Sequence, residues 1–152
     1  MRSPRKTNSR NVGVRHGEWG EAVAVEFLRR HGFVVVDRNS RPVGADRRLE
    51  IDIVAWERVS DTIVFVEVKQ HKEMSPYARR LQAVDREKRA NLRRACRAWR
   101  RVNRWNGGVR FDVMEIYGTP EGGRPVVDHI RNVRLFTAAD RFVQWRGEED
   151  ER

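Results

Sequence analysis

Two short runs of this chain combine features that a folding chain seldom places together. Leu49-Glu50-Ile51-Asp52-Ile53-Val54 and Val64-Phe65-Val66-Glu67-Val68-Lys69 are apolar enough for buried strands, yet each carries charges at alternate positions. Successive side chains of a strand point to opposite faces. Glu50 and Asp52 therefore share one face of the first run. Glu67 and Lys69 share one face of the second, and Val64, Val66 and Val68 take the other. Charges on strands this apolar need either water or a partner.

The segment between the runs is short and polar, which predicts an antiparallel hairpin. An even loop, such as Arg58 to Asp61, sets Asp52 opposite Glu67 and Glu50 opposite Lys69. Opposite residues share a face, with Cβ atoms about 5 Å apart. Two carboxylates at that range repel unless a proton or a cation lies between them. Hard oxygen ligands on a rigid scaffold suit Mg²⁺ or Mn²⁺. A nearby lysine can hold a water or steady a phosphate charge. An ordinary alternative stands beside this one. Alternating charges on a half-exposed strand also form solvated cross-strand pairs, and Glu50 with Lys69 fits that description.

The rest of the chain reads as helix, strand, hairpin, long helix, two strands and a last helix. Residues 1–14 read as a basic flexible tail, 15–145 as a single domain, and 146–152 as a flexible charged end. Gly17 to His31 predicts a helix whose stripe is Ala22, Val25 and Leu28, with Val23 and Phe27 alongside and Gly32 as its C-terminal cap. Phe33-Val34-Val35-Val36 predicts a buried strand. Leu49–Trp56 and Thr62–Lys69 are the hairpin strands. A helix or helix pair is expected from Tyr77 to Trp105. Val109–Tyr117 and Val126–Val133 are strands four and five, the fifth at an edge. Thr137 is placed to cap a short helix reaching Trp145. The expected fold class is α/β, a mixed sheet flanked by helices.

Charge narrows the partners. The 152 residues carry a formal net charge of +10, and 28 of the 32 basic residues are Arg. Such an excess favours a polyanion, although solubility alone also accounts for charge. Between Tyr77 and Trp105, Leu92, Ala95, Cys96, Trp99 and Val102 form an apolar stripe. Much of what remains is basic, with Arg93, Arg97 and Arg101 at helical spacing. That face suits phosphates, or is merely solvated. Lys88 shares the face of Leu92, which directs its ammonium to the edge of the carboxylate patch. The single cysteine, Cys96, reads as a buried thiol and fits a reducing compartment. No apolar run is long enough to span a bilayer, and no apolar stretch follows the basic N-terminus. The expected location is therefore cytoplasmic, with no membrane partner, and a homodimer is left open. His16, His31, His71 and His129 have no metal-ligand spacing; His71 shares the parity of Lys69 and borders the patch, although a surface role is the plainer reading.

Asp52 stands fifteen residues before Glu67-Val68-Lys69, between a leading helix and a basic following helix. Around it lie Gly20-Glu21 and Ala24, Arg38-Asn39 and Arg41, Glu50-Ile51-Asp52, Lys88, and Arg110-Phe111-Asp112-Val113. In these residues, from about Gly17 to Tyr117, the chain resembles the PD-(D/E)XK nuclease superfamily, and within it the YraN family of uncharacterised bacterial proteins related to Holliday-junction resolvases. The resemblance implies a restriction-endonuclease-like fold and a metal-dependent endonuclease acting on structured or branched DNA. The alternative class is a nucleic-acid-binding protein that retains the fold without cleaving. The resemblance further implies that Asp52 and Glu67 bind Mg²⁺ or Mn²⁺, that the Val68 carbonyl adds a ligand, and that Lys69 positions the water. Glu21 matches a helix carboxylate that completes such sites; a first-turn charge at a helix N-terminus accounts for it equally well. Arg41, Lys88, Arg93, Arg97 and Arg101 are the expected nucleic-acid contacts. The chain departs from the family pattern at Leu49, where a glycine is usual, and in a more basic loop from Arg41 to Arg48.

Overall fold

A computed structural model describes residues 9–73 and 86–137, and side chains within them from residue 17 onward. Helix α1 (Ser9–Arg30) precedes β1 (Phe33–Ser40), β2 (Ile51–Glu57) and β3 (Thr62–His71); α2 (Arg86–Val102), β4 (Gly108–Tyr117) and β5 (Val126–Ile130) follow. The five strands form one sheet in the order β1-β2-β3-β4-β5. The first three are antiparallel neighbours, β4 is parallel to β3, and β5 is antiparallel to β4. The parallel step needs a crossover, and α2 lies within it. This is the α/β, restriction-endonuclease-like architecture expected from the sequence.

Each face of the sheet buries one helix. Ala24, Val25 and Leu28 of α1 join Ile53, Ala55, Val64, Val66, Met114 and Ile116. Leu92, Ala95, Cys96 and Trp99 of α2 join Phe65, Phe111 and Val113. The Phe65 and Trp99 rings meet edge to face at 5.6 Å. Cys96 is fully buried, as expected.

Several boundaries differ from the sequence reading. Helix α1 begins at Ser9, inside the stretch read as a tail. No apolar periodicity marks residues 9–16, but a formed helix adds a hydrogen bond for each residue it gains. Ala22 is exposed, and Ala24 takes its place in the stripe. Val102 is 65% exposed while Arg100 is buried: α2 ends at Val102, so its apolar stripe closes one turn earlier, at Trp99. Strand β1 is a sheet edge, and its register shifts between Val35 and Asp37, leaving Val36 exposed. The run is apolar enough to suggest a buried strand, but the irregularity at Val36 turns that side chain outward. Gly32 ends α1 as expected, with φ of 85°. The start of the long helix expected from Tyr77, and the expected helix beyond Thr137, lie outside the described residues.

A polar clamp ties β2, β4 and β5 together. Asp112 is fully buried and accepts from Arg110 at 2.8 and 2.9 Å, from the Asn132 N–H at 2.9 Å, and bonds His129 Nε2 at 2.8 Å. Arg110 and Arg131 both reach Glu57. Burial alone raises the Asp112 pKa, but the bonds from His129, Arg110 and Asn132 outweigh it and hold the carboxyl below its ordinary value. The folded pKa thus lies below the unfolded one of about 3.9. Its stabilisation is present above that pH and is lost as pH falls through the folded value. Asp112→Ala should destabilise the protein by about 1–3 kcal/mol, because Arg110 keeps only Glu57 while the Asn132 N–H and His129 lose their partner. Urea titrations check this, and between pH 6 and 3 the parent should lose more stability than the variant.

Candidate active site

The hairpin turn decides which side chains meet. Arg58–Asp61 closes β2 onto β3; Asp61 takes a left-handed φ of 48° and accepts the Trp56 indole N–H at 2.9 Å. Asp is among the residues that tolerate that backbone conformation. The four-residue loop pairs Glu57 with Thr62 and runs in register to Ile53 with Val66. One further step sets Asp52 across from Glu67, on one side of the sheet, as expected. The regular ladder stops there, although β3 continues to His71. Val68 instead donates its N–H to Asp52 Oδ2 at 2.8 Å.

The chain leading into β2 turns aside as well. The sequence predicts a strand from Leu49, but Arg47–Leu49 is a 3₁₀ turn capped by Asp46, whose carboxylate accepts the Arg48 N–H. Leu49 is buried by that turn, and Glu50 is redirected to Arg41, with Nε 2.7 Å from Oε2. Glu50 therefore pairs with Arg41, not across the strands with Lys69.

Asp52 and Glu67 line a cleft of about 380 Å³ with Arg47, Arg48 and Glu50, and with Glu87, Lys88, Asn91 and Leu92 of α2. Burial and the adjacent Glu67 carboxyl raise the Asp52 pKa to about 8, against the opposing bond from Val68. The two carboxyl groups are close enough to share a hydrogen bond. Lys88 Nζ lies 2.8 Å from Glu67 Oε1. The Lys69 ammonium is pushed down by burial and by Lys88, and supported by Glu67 and Glu115. Glu21 lies across the helix–sheet edge. Gly20 lets α1 approach there, since a Cβ would come within 2.6 Å of Gln70 Oε1. Burial raises the Glu21 pKa against a hydrogen bond from Asn39, and Asp52 feels Glu21 as a like charge. Asn39 reaches it from a left-handed residue, φ 47°.

This donor set suits an octahedral, oxygen-seeking ion. Among the described residues no three His, Cys, Asp or Glu side chains come together as a cage. Mg²⁺ needs none, because it binds through one or two carboxylates and fills its other positions with water and phosphate oxygen. The charge of the Asp52–Glu67 pair, strong enough to hold a proton near neutrality, is what such an ion neutralises. Glu21 contributes charge from the side and does not complete a three-carboxylate cluster.

Sequence reasoning missed Arg47, Arg48 and Asn91 as cleft walls, because nothing in a loop's composition tells where it folds back. It also missed fully buried Glu115, which accepts the Tyr117 hydroxyl at 2.9 Å with His71 Nε2 3.6 Å away. The only available signal was parity with Glu67 and Lys69 across the parallel pair, where Lys69 aligns with Glu115. Beyond the cleft, α2 exposes Arg94, Arg97 and Arg101, with Arg93 half-buried.

The profile of the uncharacterised protein family UPF0102 matches residues 20–116. The chain belongs to this family, which is the YraN family of the resemblance above. A UPF0102 protein of Acetivibrio thermocellus is 38% identical over 119 residues, covering 77% of this chain and 86% of that relative. One from Paenarthrobacter aurescens is 40% identical over 121 residues, covering 77% and 91%. One from Nocardia farcinica is 37% identical over 119 residues, covering 77% and 87%. The family match encloses Glu21, Asp52, Glu67, Lys69 and Lys88, and the α2 arginines. Among the described residues no helix is long and apolar enough to cross a membrane.

The sign of the Asp52 shift gives a test. A carboxyl whose folded pKa is raised favours folding only while protonated. Stability is therefore lost as pH rises from the unfolded pKa, about 3.9, to the folded value. In metal-free buffer Asp52→Asn should be more stable than the parent. The gap in melting temperature should widen from pH 5 to 8 and level off above. A variant that melts below the parent at pH 8 would contradict the crowding of these carboxyls.

Proposed function

We propose that the protein is a Mg²⁺- or Mn²⁺-dependent endonuclease that hydrolyses phosphodiester bonds in DNA, with structured or branched DNA as its substrate class. The observation that carries this reading is the placement of Asp52 and Glu67 in one cleft, with Lys69 and Lys88 beside them and an arginine-rich helix along its wall. A divalent ion there supplies a Lewis acid to a phosphoryl oxygen and makes a water easier to deprotonate. Asp52 and Glu67 hold it, and the Val68 carbonyl is the backbone donor between Glu67 and Lys69. The Val68 N–H fixes the angle of the Asp52 carboxylate. Lys69 steadies the attacking water and the phosphate charge; burial lowers its pKa, so its ammonium gives up a proton more readily. Lys88, Arg47 and Arg48 receive the phosphate, and Arg93, Arg97 and Arg101 receive the flanking backbone. Arg41 reaches nucleic acid only by sharing its guanidinium with Glu50.

One observation favours the alternative of binding without cleavage: the Lys88 ammonium already pairs with Glu67. The cleft nonetheless keeps room beside the pair, so the site is not filled by its own side chains.

Incubation with branched, nicked and linear DNA in Mn²⁺ or EDTA separates the two readings. The parent should cut in Mn²⁺ and not in EDTA. Asp52→Asn and Glu67→Gln should each abolish cutting while leaving DNA affinity equal or slightly tighter, since each removes a charge that repels phosphate. Lys69→Met should keep metal binding by calorimetry and lose about 10²–10⁴-fold in rate. Metal binding and cutting unchanged in all three would refute the nuclease reading. Neutralising Arg93, Arg97 and Arg101 together should lower the slope of log affinity against log salt by about 0.9 for each phosphate no longer neutralised. An unchanged slope would show a merely solvated face.

A further inference from the structure

Glu67 already meets a cation that belongs to the protein. Lys88, in the first turn of α2, places Nζ 2.8 Å from Glu67 Oε1. The two partners differ in burial: the Glu67 side chain is 11% exposed, and that of Lys88 is 47% exposed. The carboxylate is fixed in the sheet, whereas the ammonium rides on a flexible stem with water on one side. Lys69 is near enough to feel the charges of both, but Lys88 is the residue whose ammonium touches the Glu67 oxygen.

We propose that Lys88 is an exchangeable placeholder: it holds Glu67 while the cleft lacks nucleic acid and moves to a phosphate when nucleic acid enters, so that divalent-ion binding and nucleic-acid binding are positively coupled through this side chain. The proposal rests on the nuclease reading above and adds a role for Lys88 before substrate arrives. A carboxylate oxygen engaged by an ammonium is a poorer ligand, so an incoming ion must displace Lys88 and binds more weakly for it. A phosphate offers that ammonium a charge-assisted hydrogen bond of its own. Once Lys88 has moved, Glu67 is released to the ion. Linkage makes the effect reciprocal: the factor by which nucleic acid tightens the ion is the factor by which the ion tightens nucleic acid.

Calorimetric titration of Mn²⁺ into the intact protein and into Lys88→Met tests this, each with and without a DNA duplex whose phosphodiesters carry non-bridging sulfur to slow cleavage. Far-UV circular dichroism confirms that the variant, altered at an exposed position, is folded. Without DNA, Lys88→Met should bind Mn²⁺ roughly twofold to fivefold more tightly than the parent, the range expected for releasing a part-exposed ion pair. The duplex should tighten Mn²⁺ on the parent by a larger factor than on the variant. Lys69→Met removes a neighbouring charge without breaking the Lys88–Glu67 pair and should gain less than Lys88→Met. Equal Mn²⁺ affinity in parent and Lys88→Met, or an equal gain from the duplex, overturns the exchange and leaves the nuclease reading standing. Failure of both proteins to bind Mn²⁺ overturns the nuclease reading and the exchange together.

Discussion

A single hydrogen bond, from the Val68 N–H to Asp52 Oδ2, is the constraint around which the site is arranged. It forms where the β2–β3 ladder ends. Had the strands stayed paired to their tips, that N–H would be committed to ordinary sheet bonding and Asp52 would lack this anchor. The last paired residues are Ile53 and Val66, and beyond them the Asp52 side chain takes up the Val68 N–H. The carboxylate is thereby held beside Glu67 at a cost that burial makes large and a cation or proton must offset. The molecule tolerates crowded carboxyls there because the core holds both strands. Phe65, Val64 and Val66 are fully buried on either side of β3, so neither strand can slide by one residue without turning its apolar set into solvent.

The two layers divide the work. Helix α2 supplies positive charge from above the cleft: Lys88 at Glu67, and a run of arginines beyond it. The 3₁₀ turn Arg47–Leu49 packs beside α2 and adds Arg47 and Arg48 to the wall. Helix α1 lies on the other face and reaches the site only at its edge, through Glu21, which Asn39 of β1 bonds. The Asp112 clamp binds β2, β4 and β5 with every one of its charges matched. The two clusters therefore carry their buried charge differently. Around Asp112 hydrogen bonds and cations outweigh burial and the carboxyl pKa falls; around Asp52 burial, joined by the like charge of Glu67, makes the pKa rise. The second arrangement is unfavourable for folding, which is common where side chains are placed for chemistry.

Much of this is legible in the order of residues. Alternation in the two charged runs and an even loop are sufficient to bring Asp52 and Glu67 together, because strand parity is strict. The stripe Leu92, Ala95, Cys96 and Trp99 likewise locates the buried face of α2. Other features depend on packing that no local pattern encodes. The fate of Glu50 is hidden because the turn before β2 breaks the strand's parity, and Arg41 lies nine residues away in sequence. Val36 looks like core because composition does not distinguish an edge strand from a central one. Glu115 escapes notice because its partners, Tyr117 and His71, come from two strands whose parallel pairing cannot be read from either alone. Asp112 stands out for its resemblance to the family, but its role as a clamp requires Glu57 and His129 from distant segments.

The central claim is that Asp52 and Glu67 together receive one divalent ion. Crystals grown without added metal and then soaked in Mn²⁺ test it by anomalous difference density at the manganese edge. The account predicts one dominant peak within coordination distance of both carboxylates, absent from crystals of Glu67→Gln soaked in the same way. A peak at another cluster, or none between Asp52 and Glu67 at saturating Mn²⁺, would contradict it.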